Sequence, residues 1–502
     1  MKNFLKLCGL PLLLVCILLP LLASCTKCEH KDTEWEYEVD ATCSVAGTRV
    51  RICKKCGAEV HREQYETAHQ YNDDNECIYC GGARYGSEYL EYREITLDGE
   101  AGYEVVGRGS STGKVIEIPA LRNGKPVLSV ATRAFANNSM ITSVTFGKNV
   151  KRIGEKAFYG CSGLGSATFS ENSELAVIHG AAFEGCESLQ AFAVPLGVTE
   201  IPAQMLKGCA KLTSLTLHSG IIMIGENALE GCDAIAYKEE NGVRYLGPDD
   251  MPHLVLAGVT DKTVTAFTVP SDTRIIGTAA FQGCDALRDI TLPEGVTSLS
   301  AYAFAACASL ETLTLPTTLQ NVGAYAFAGC FSLSTLTLPA ATAHIGEKAF
   351  YKCTSLTSLS LPAGIKTVGS FAFLQSALSF EELGGGKYLG NSENPYLVLV
   401  DTAAGVTELV IHEQTRVVAS GALADSDCAA LLSVEVGASV ITLGAGAFVG
   451  CEALEQLTFR EASGWRVAAR YEGVDFFEAS VTNGSTNADM ITGRYKNYYW
   501  YR

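Results

Sequence analysis

Between residues 301 and 346 the chain writes nearly the same line twice: AYAFAACASLETLTLPTTLQNVG is followed at once by AYAFAGCFSLSTLTLPAATAHIG. The period extends well beyond this pair. Cys161, Cys186, Cys209, Cys232, Cys284, Cys307, Cys330, Cys353, Cys428 and Cys451 are separated by 25, 23, 23, 52, 23, 23, 23, 75 and 23 residues. A framework of disulfides has no reason to be periodic, whereas a stack of equivalent rungs has. These cysteines are expected to be free, small apolar side chains under a turn.

Aligned on the cysteine, the unit reads V-x-x-I-G-x-x-A-F-x-G-C-x-x-L-x-x-L-x-L-P. Leu313 and Leu315 stand two apart, as one face of a short strand requires, and Pro293, Pro316, Pro339 and Pro362 end such strands. The I-G-x-x-A-F-x-G-C part turns the chain back, with Ala and Phe directed inward. One unit cannot bury its own apolar face, so units must stack. Roughly 13 or 14 units run from Ile141 to Phe459, enough for a solenoid on the order of 60 Å long at the spacing of parallel strands.

This signature resembles that of the BspA-like family of bacterial leucine-rich repeat surface proteins, over roughly residues 90 to 500. The resemblance implies an α/β-type repeat solenoid with a parallel β-sheet on one face. It also implies a non-catalytic role in adhesion or recognition, with an extracellular protein or glycan as partner. An envelope spacer, or a scaffold for a co-exported partner of the same cell, is the alternative.

Two stretches interrupt the array. NGVRYLGPDDMPHLVLAG at 241–258 and GGKYLGNSENPYLVLVD at 385–401 are themselves related, with Tyr245/Tyr388 and Leu254/Leu397 both offset by 143 residues. Each reads as a hairpin projecting from the solenoid, within interruptions near 236–258 and 384–401. The repeats proper are placed at 141–461, an N-terminal cap with a first degenerate repeat at 85–140, and a C-terminal cap at 462–502. Trp465, Tyr498, Tyr499 and Trp500 are expected to fold over the last rung.

The N-terminus points to export. Lys2 and Lys6 stand at the start of an apolar run closed by small residues, which reads as a signal peptide over 1–24. Leu22-Ala23-Ser24-Cys25 resembles a bacterial lipobox, which makes Cys25 the lipidated first residue and the anchor the only membrane contact. An unlipidated signal peptide or an uncleaved membrane helix is the other reading. The formal charge of −17 lacks the basic face that phosphate neutralisation demands, so nucleic acid is excluded as a partner.

Residues 25–84 form a separate, Cys/His-rich module. C-K-K-C at Cys53 and Cys56 and C-I-Y-C at Cys77 and Cys80 are separated by 20 residues, a zinc-ribbon-like spacing. Four thiolates on two knuckles supply the tetrahedral field of a structural Zn²⁺. Cys28, His30, Cys43 and His69 remain for a second site or a different partition, and disulfides compete with metal throughout the module.

No G-x-S-x-G, H-E-x-x-H or phosphate-binding loop occurs, and no catalytic residue is assigned. The periodic outward feature is the middle residue of the final L-x-L: Thr145, Thr168, Thr216, Thr268, Thr291, Thr314, Thr337, Ser360 and Thr458. Two places earlier stand Ser143, Ser166, Ser214, Asp289, Thr312, Thr335 and Ser358. Together they make a broad, weakly charged candidate binding face, although Thr also suits an exposed strand through its β-propensity alone.

Overall fold

A computed structural model describes residues 31, 33–39, 47–55, 59–65, 89–424, 428–468, 476–479, 481 and 484–502. The chain divides into two units, Met1–Tyr85 and Gly86–Arg502. In the first, strands Thr33–Val39, Gly47–Cys53 and Glu59–Tyr65 form an antiparallel sheet. Val50 and Cys53 are buried in it.

The second unit is a β-solenoid of about fifteen turns. Each rung contributes to two parallel ladders rather than to a single sheet. The L-x-L segments form one: Asp289–Thr291 pairs in register with Ala266–Thr268 on one side and Thr312–Thr314 on the other. The dipeptides before the repeat glycine form the other, running through Ile275–Ile276, Ser298–Leu299, Asn321–Val322, His344–Ile345 and Thr367–Val368. Glycine follows four of these five dipeptides, with Ser300 after Ser298–Leu299, and it sits where neighbouring rungs approach closely. A Cβ on Gly346 would lie 2.4 Å from the amide nitrogen of Ala324 on the preceding rung.

The third side of each rung is turn, not helix, which corrects the α/β expectation. The A-F-x-G-C segment makes i→i+3 hydrogen bonds, Ala326 N to Gly323 O and Cys330 N to Phe327 O, but Tyr325 and Gly329 take positive φ of 55° and 74°. Left-handed residues four apart stop a helix from propagating. The amides so freed donate along the stack instead, Phe327 N to Ala349 O and Gly329 N to Tyr351 O, both at 2.8 Å. Among the described residues, α-helix occurs only at Gly484–Asp489, ahead of a wide turn at Met490–Arg494.

Inside, the repeat phenylalanines form a column. Phe281, Phe304, Phe327, Phe350 and Phe373 stack with centroids 5.1, 5.6, 5.4 and 5.9 Å apart and planes within 13° of parallel. The cysteines fill the gap beneath them as free, buried thiols. They also close a polar account, since Cys307, Cys330 and Cys353 donate Sγ–H to the carbonyls of Phe281, Phe304 and Phe327 at 3.1–3.2 Å.

The two interruptions do not project; each is built into the ladder and separates one stack of rungs from the next. Lys238–Glu240 and Val243–Leu246 pair antiparallel, and Val243–Leu246 pairs antiparallel with Val255–Val259. Val255–Val259 then joins Ile275–Ile276 in parallel and starts the next ladder. At the second joint Glu381–Leu383, Gly386–Leu389 and Val398–Thr402 repeat this pattern against Val417–Val418. A hairpin of the same kind, Glu91–Leu97 and Glu100–Gly107, starts the first stack and pairs in parallel with Lys125–Val130. All three hairpins turn on two residues with positive φ, Asp98-Gly99, Asn241-Gly242 and Gly384-Gly385, the type I′ geometry that matches strand twist.

The first joint is a wall with two buried faces. Leu246, Leu254, Val255 and Ile275 pack into the core of the first stack. Val243, Tyr245, Leu256 and Ile276 pack into the core of the following one. At the C-terminus Tyr499–Tyr501 pairs antiparallel with Thr442–Leu443 and with Arg466–Ala468, closing the ladder. Trp465 and Trp500 are buried there, while Tyr498 stays exposed.

Candidate functional site

The hydroxyl positions lie on the outer face of the L-x-L ladder because the strand period of two sends the flanking leucines inward. Every one of the nine is exposed except Ser360, which is half-buried. The structure does not join them into one row. Thr145 and Thr168 are register partners with their Oγ1 atoms 3.1 Å apart, but Ala193 stands between them and Thr216. Thr268, Thr291 and Thr314 are consecutive partners in the second stack, where Thr337 also pairs with Ser360. Thr458 is alone in the third, beside Glu435.

The second stack therefore carries the most regular patch: hydroxyls at Thr291, Thr314, Thr337 and Ser360, with a second row at Thr312, Thr335 and Ser358. Its one carboxylate, Asp289, accepts a hydrogen bond from Thr312 Oγ1. An Arg288–Glu311 ion pair at 2.8 Å borders it. Chemically the patch offers paired donors and acceptors and almost no net charge.

The histidines act as links within the fold. His344 Nδ1 lies 2.9 Å from Thr367 Oγ1 one rung on, and His218 Nε2 contacts the carbonyls of Pro195 and Val198. His253 is clamped at the first joint, with Nε2 2.9 Å from Glu240 and Nδ1 2.9 Å from Asp272, whose carboxylate also accepts the His253 amide. This clamp was not anticipated from the sequence. The signal that could have found it is the 143-residue offset, which sets His253 against Tyr396 in the related interruption.

Of the proposed metal ligands, Cys53 is buried at the end of its strand. Cys28, His30, Cys43, Cys56, His69, Cys77 and Cys80 lie outside the described residues, as do the lipidation candidate Cys25 and the signal segment. Among the described residues no cluster of three metal-ligating side chains forms, and no helix is long and apolar enough to cross a membrane.

A family model for the BspA type leucine rich repeat region matches in six copies over residues 122–247, 260–382 and 404–464. The chain belongs to the BspA-type leucine-rich repeat proteins. The two gaps between matched stretches fall on the two joints, so this BspA-type array is three runs of repeats in sequence as well as in structure. The family is one of bacterial surface proteins.

Three solved structures are similar to it. A leucine rich cell surface protein from Faecalibacterium prausnitzii is 22% identical, covering 58% of this chain and 94% of its own, with a TM-score of 0.27. The pneumococcal vaccine antigen PcpA is 22% identical over 67% of this chain and 93% of its own, at 0.30. A leucine rich repeat protein of T. pallidum is 23% identical over 49% and 89%, at 0.29. No curated protein matches the chain.

Proposed function

We propose that this BspA-type protein is a lipid-anchored, non-catalytic recognition protein of the bacterial surface, binding an extracellular protein or glycan through the hydroxyl face of its second stack. The observation that carries the reading is that patch: adjacent rungs present exposed hydroxyls in two rows with almost no charge. Such a face can hydrogen-bond an extended chain that brings both donors and acceptors. Lipidation at Cys25 would tether the chain, and the segment 25–84 would serve as a spacer. Zinc held by Cys53, Cys56, Cys77 and Cys80, with Cys28, His30, Cys43 and His69 available to a second ion, would supply the folding energy that so small a module lacks.

The test is binding of the full-length protein to panels of immobilised extracellular proteins and glycans, beside a T314K/T337K variant. Saturable binding to a panel member, lost in the variant, supports the reading. Binding only to envelope components of the producing cell favours the spacer or scaffold instead.

A further inference from the structure

The two joints enclose equivalent clefts. Each lies between the last turn of one stack, the hairpin and the first rung of the next. At offsets of 143 or 144 residues, Asn227 corresponds to Phe371, Glu230 to Leu374, Tyr237 to Phe380, and Arg244 to Lys387.

The contents differ in a way that bears on ligands. The second cleft, about 150 Å³, is walled by Phe371, Phe373, Leu374, Phe380 and Val400. Asp401 at its side is neutralised by Lys387, whose Nζ lies 2.8 Å away. The first cleft is larger, about 300 Å³, with an apolar floor of Ile224, Leu229, Leu246 and Val255 beneath a polar rim. There Gly258 stands where Asp401 stands at the second joint, so the basic residue has lost its carboxylate. Among the described residues no acidic side chain lies within ion-pair distance of Arg244, not even Glu239 opposite it in the hairpin register. Its guanidinium sits 5.2 Å from the Tyr237 ring. Among the described residues Asp233 on the same rim has no basic partner within ion-pair distance either, whereas Glu230 is held by Lys207 at 2.8 Å.

We propose that the cleft at the first joint binds an α-carboxylate carried on an apolar side chain, as found in a free apolar amino acid or at the end of a peptide. Arg244 presents the planar fork of donors that a carboxylate accepts in pairs. The apolar floor takes the side chain, and the volume falls in the range of small-ligand sites. Asp233 receives the α-ammonium when the ligand is a free amino acid.

Calorimetric titration of the full-length protein with L-leucine, N-acetyl-L-leucine and L-leucinamide tests this, beside G258D and R244Q. G258D restores the ion pair of the second joint, and its Cβ has room, meeting only the Arg244 side chain at 3.6 and 4.0 Å. Leucine or acetyl-leucine is expected to bind saturably, with leucinamide, G258D and R244Q each weakening the interaction about tenfold or more, the worth of one charge-assisted hydrogen bond. Thermal melts of G258D should match the parent. A free amino acid is the ligand if leucine binds more tightly than acetyl-leucine and D233N removes the difference; a peptide end is the ligand if the two bind alike. No saturable binding of either probe, equal binding of leucinamide, or undiminished binding by G258D would each overturn the proposal.

Discussion

Gly346 on one rung and Ala324 on the rung before it approach so closely that a Cβ on the glycine would lie 2.4 Å from the alanine amide. Gly369 meets Glu347 in the same way at 2.3 Å, so the spacing of the second ladder is set by backbone contact. Backbone cannot yield as a flexible side chain can. G346A is therefore expected to cost about 1–3 kcal/mol, the usual range for overpacking. Chemical denaturation should show it, with hydrogen exchange accelerated in the rungs on both sides of residue 346 and little changed in the first stack.

The aromatic column should behave as a shared element. Phe327 is fully buried between Phe304 and Phe350, so F327A opens a cavity with aromatic walls on two rungs. A loss of about 3–5 kcal/mol is expected. F327L should recover most of it, since leucine refills much of the volume. The denaturation midpoints of the two variants decide this.

Thiol chemistry provides a readout of rung integrity. Burial pushes the Cys307 and Cys353 thiols up to about 12, so at pH 8 they are almost wholly protonated. Because the thiolate is the nucleophile, iodoacetamide should leave both unmodified in the native protein and label both after unfolding. Mass spectrometry of the labelled peptides measures the difference.

The first joint should loosen in acid. At Asp272 burial raises the carboxyl pKa, but hydrogen bonds from the His253 amide and ring outweigh it and leave the group below its ordinary value. Glu240 is lowered by Lys238 first and by His253 second. A carboxylate with a depressed folded pKa contributes stability above its unfolded value of about 4, and that contribution is lost as pH falls through the folded value. Exchange protection of 238–259 should therefore fall below about pH 4. H253Y, which copies Tyr396 of the second joint, should flatten that limb.

The repeat length, the inward Leu, Phe and Cys, and the exposed hydroxyls were legible because each recurs and each follows from strand alternation. The second ladder was not legible, since its strands are two residues long and carry no alternation to detect. The turn over I-G-x-x-A-F-x-G-C was legible from its glycines, whereas the α/β class followed from the resemblance alone and is corrected by the positive φ at positions such as Tyr325 and Gly329. The joints were visible as a repeated insertion, with Asn241-Gly242 and Gly384-Gly385 as hairpin signals. Their burial was not, because Tyr245 and Tyr388 reveal which core they enter only when both neighbouring stacks are in place. The hydroxyl row reads as continuous in sequence but is broken at Ala193 and at each joint.

The most direct test of the recognition account is a hydrogen-exchange footprint of the full-length protein with the tightest binder from the protein and glycan panels. The account predicts protection confined to strands 289–291, 312–314, 335–337 and 358–360 of the second stack. Protection elsewhere with these strands unchanged, or no saturable binder in either panel, would contradict it.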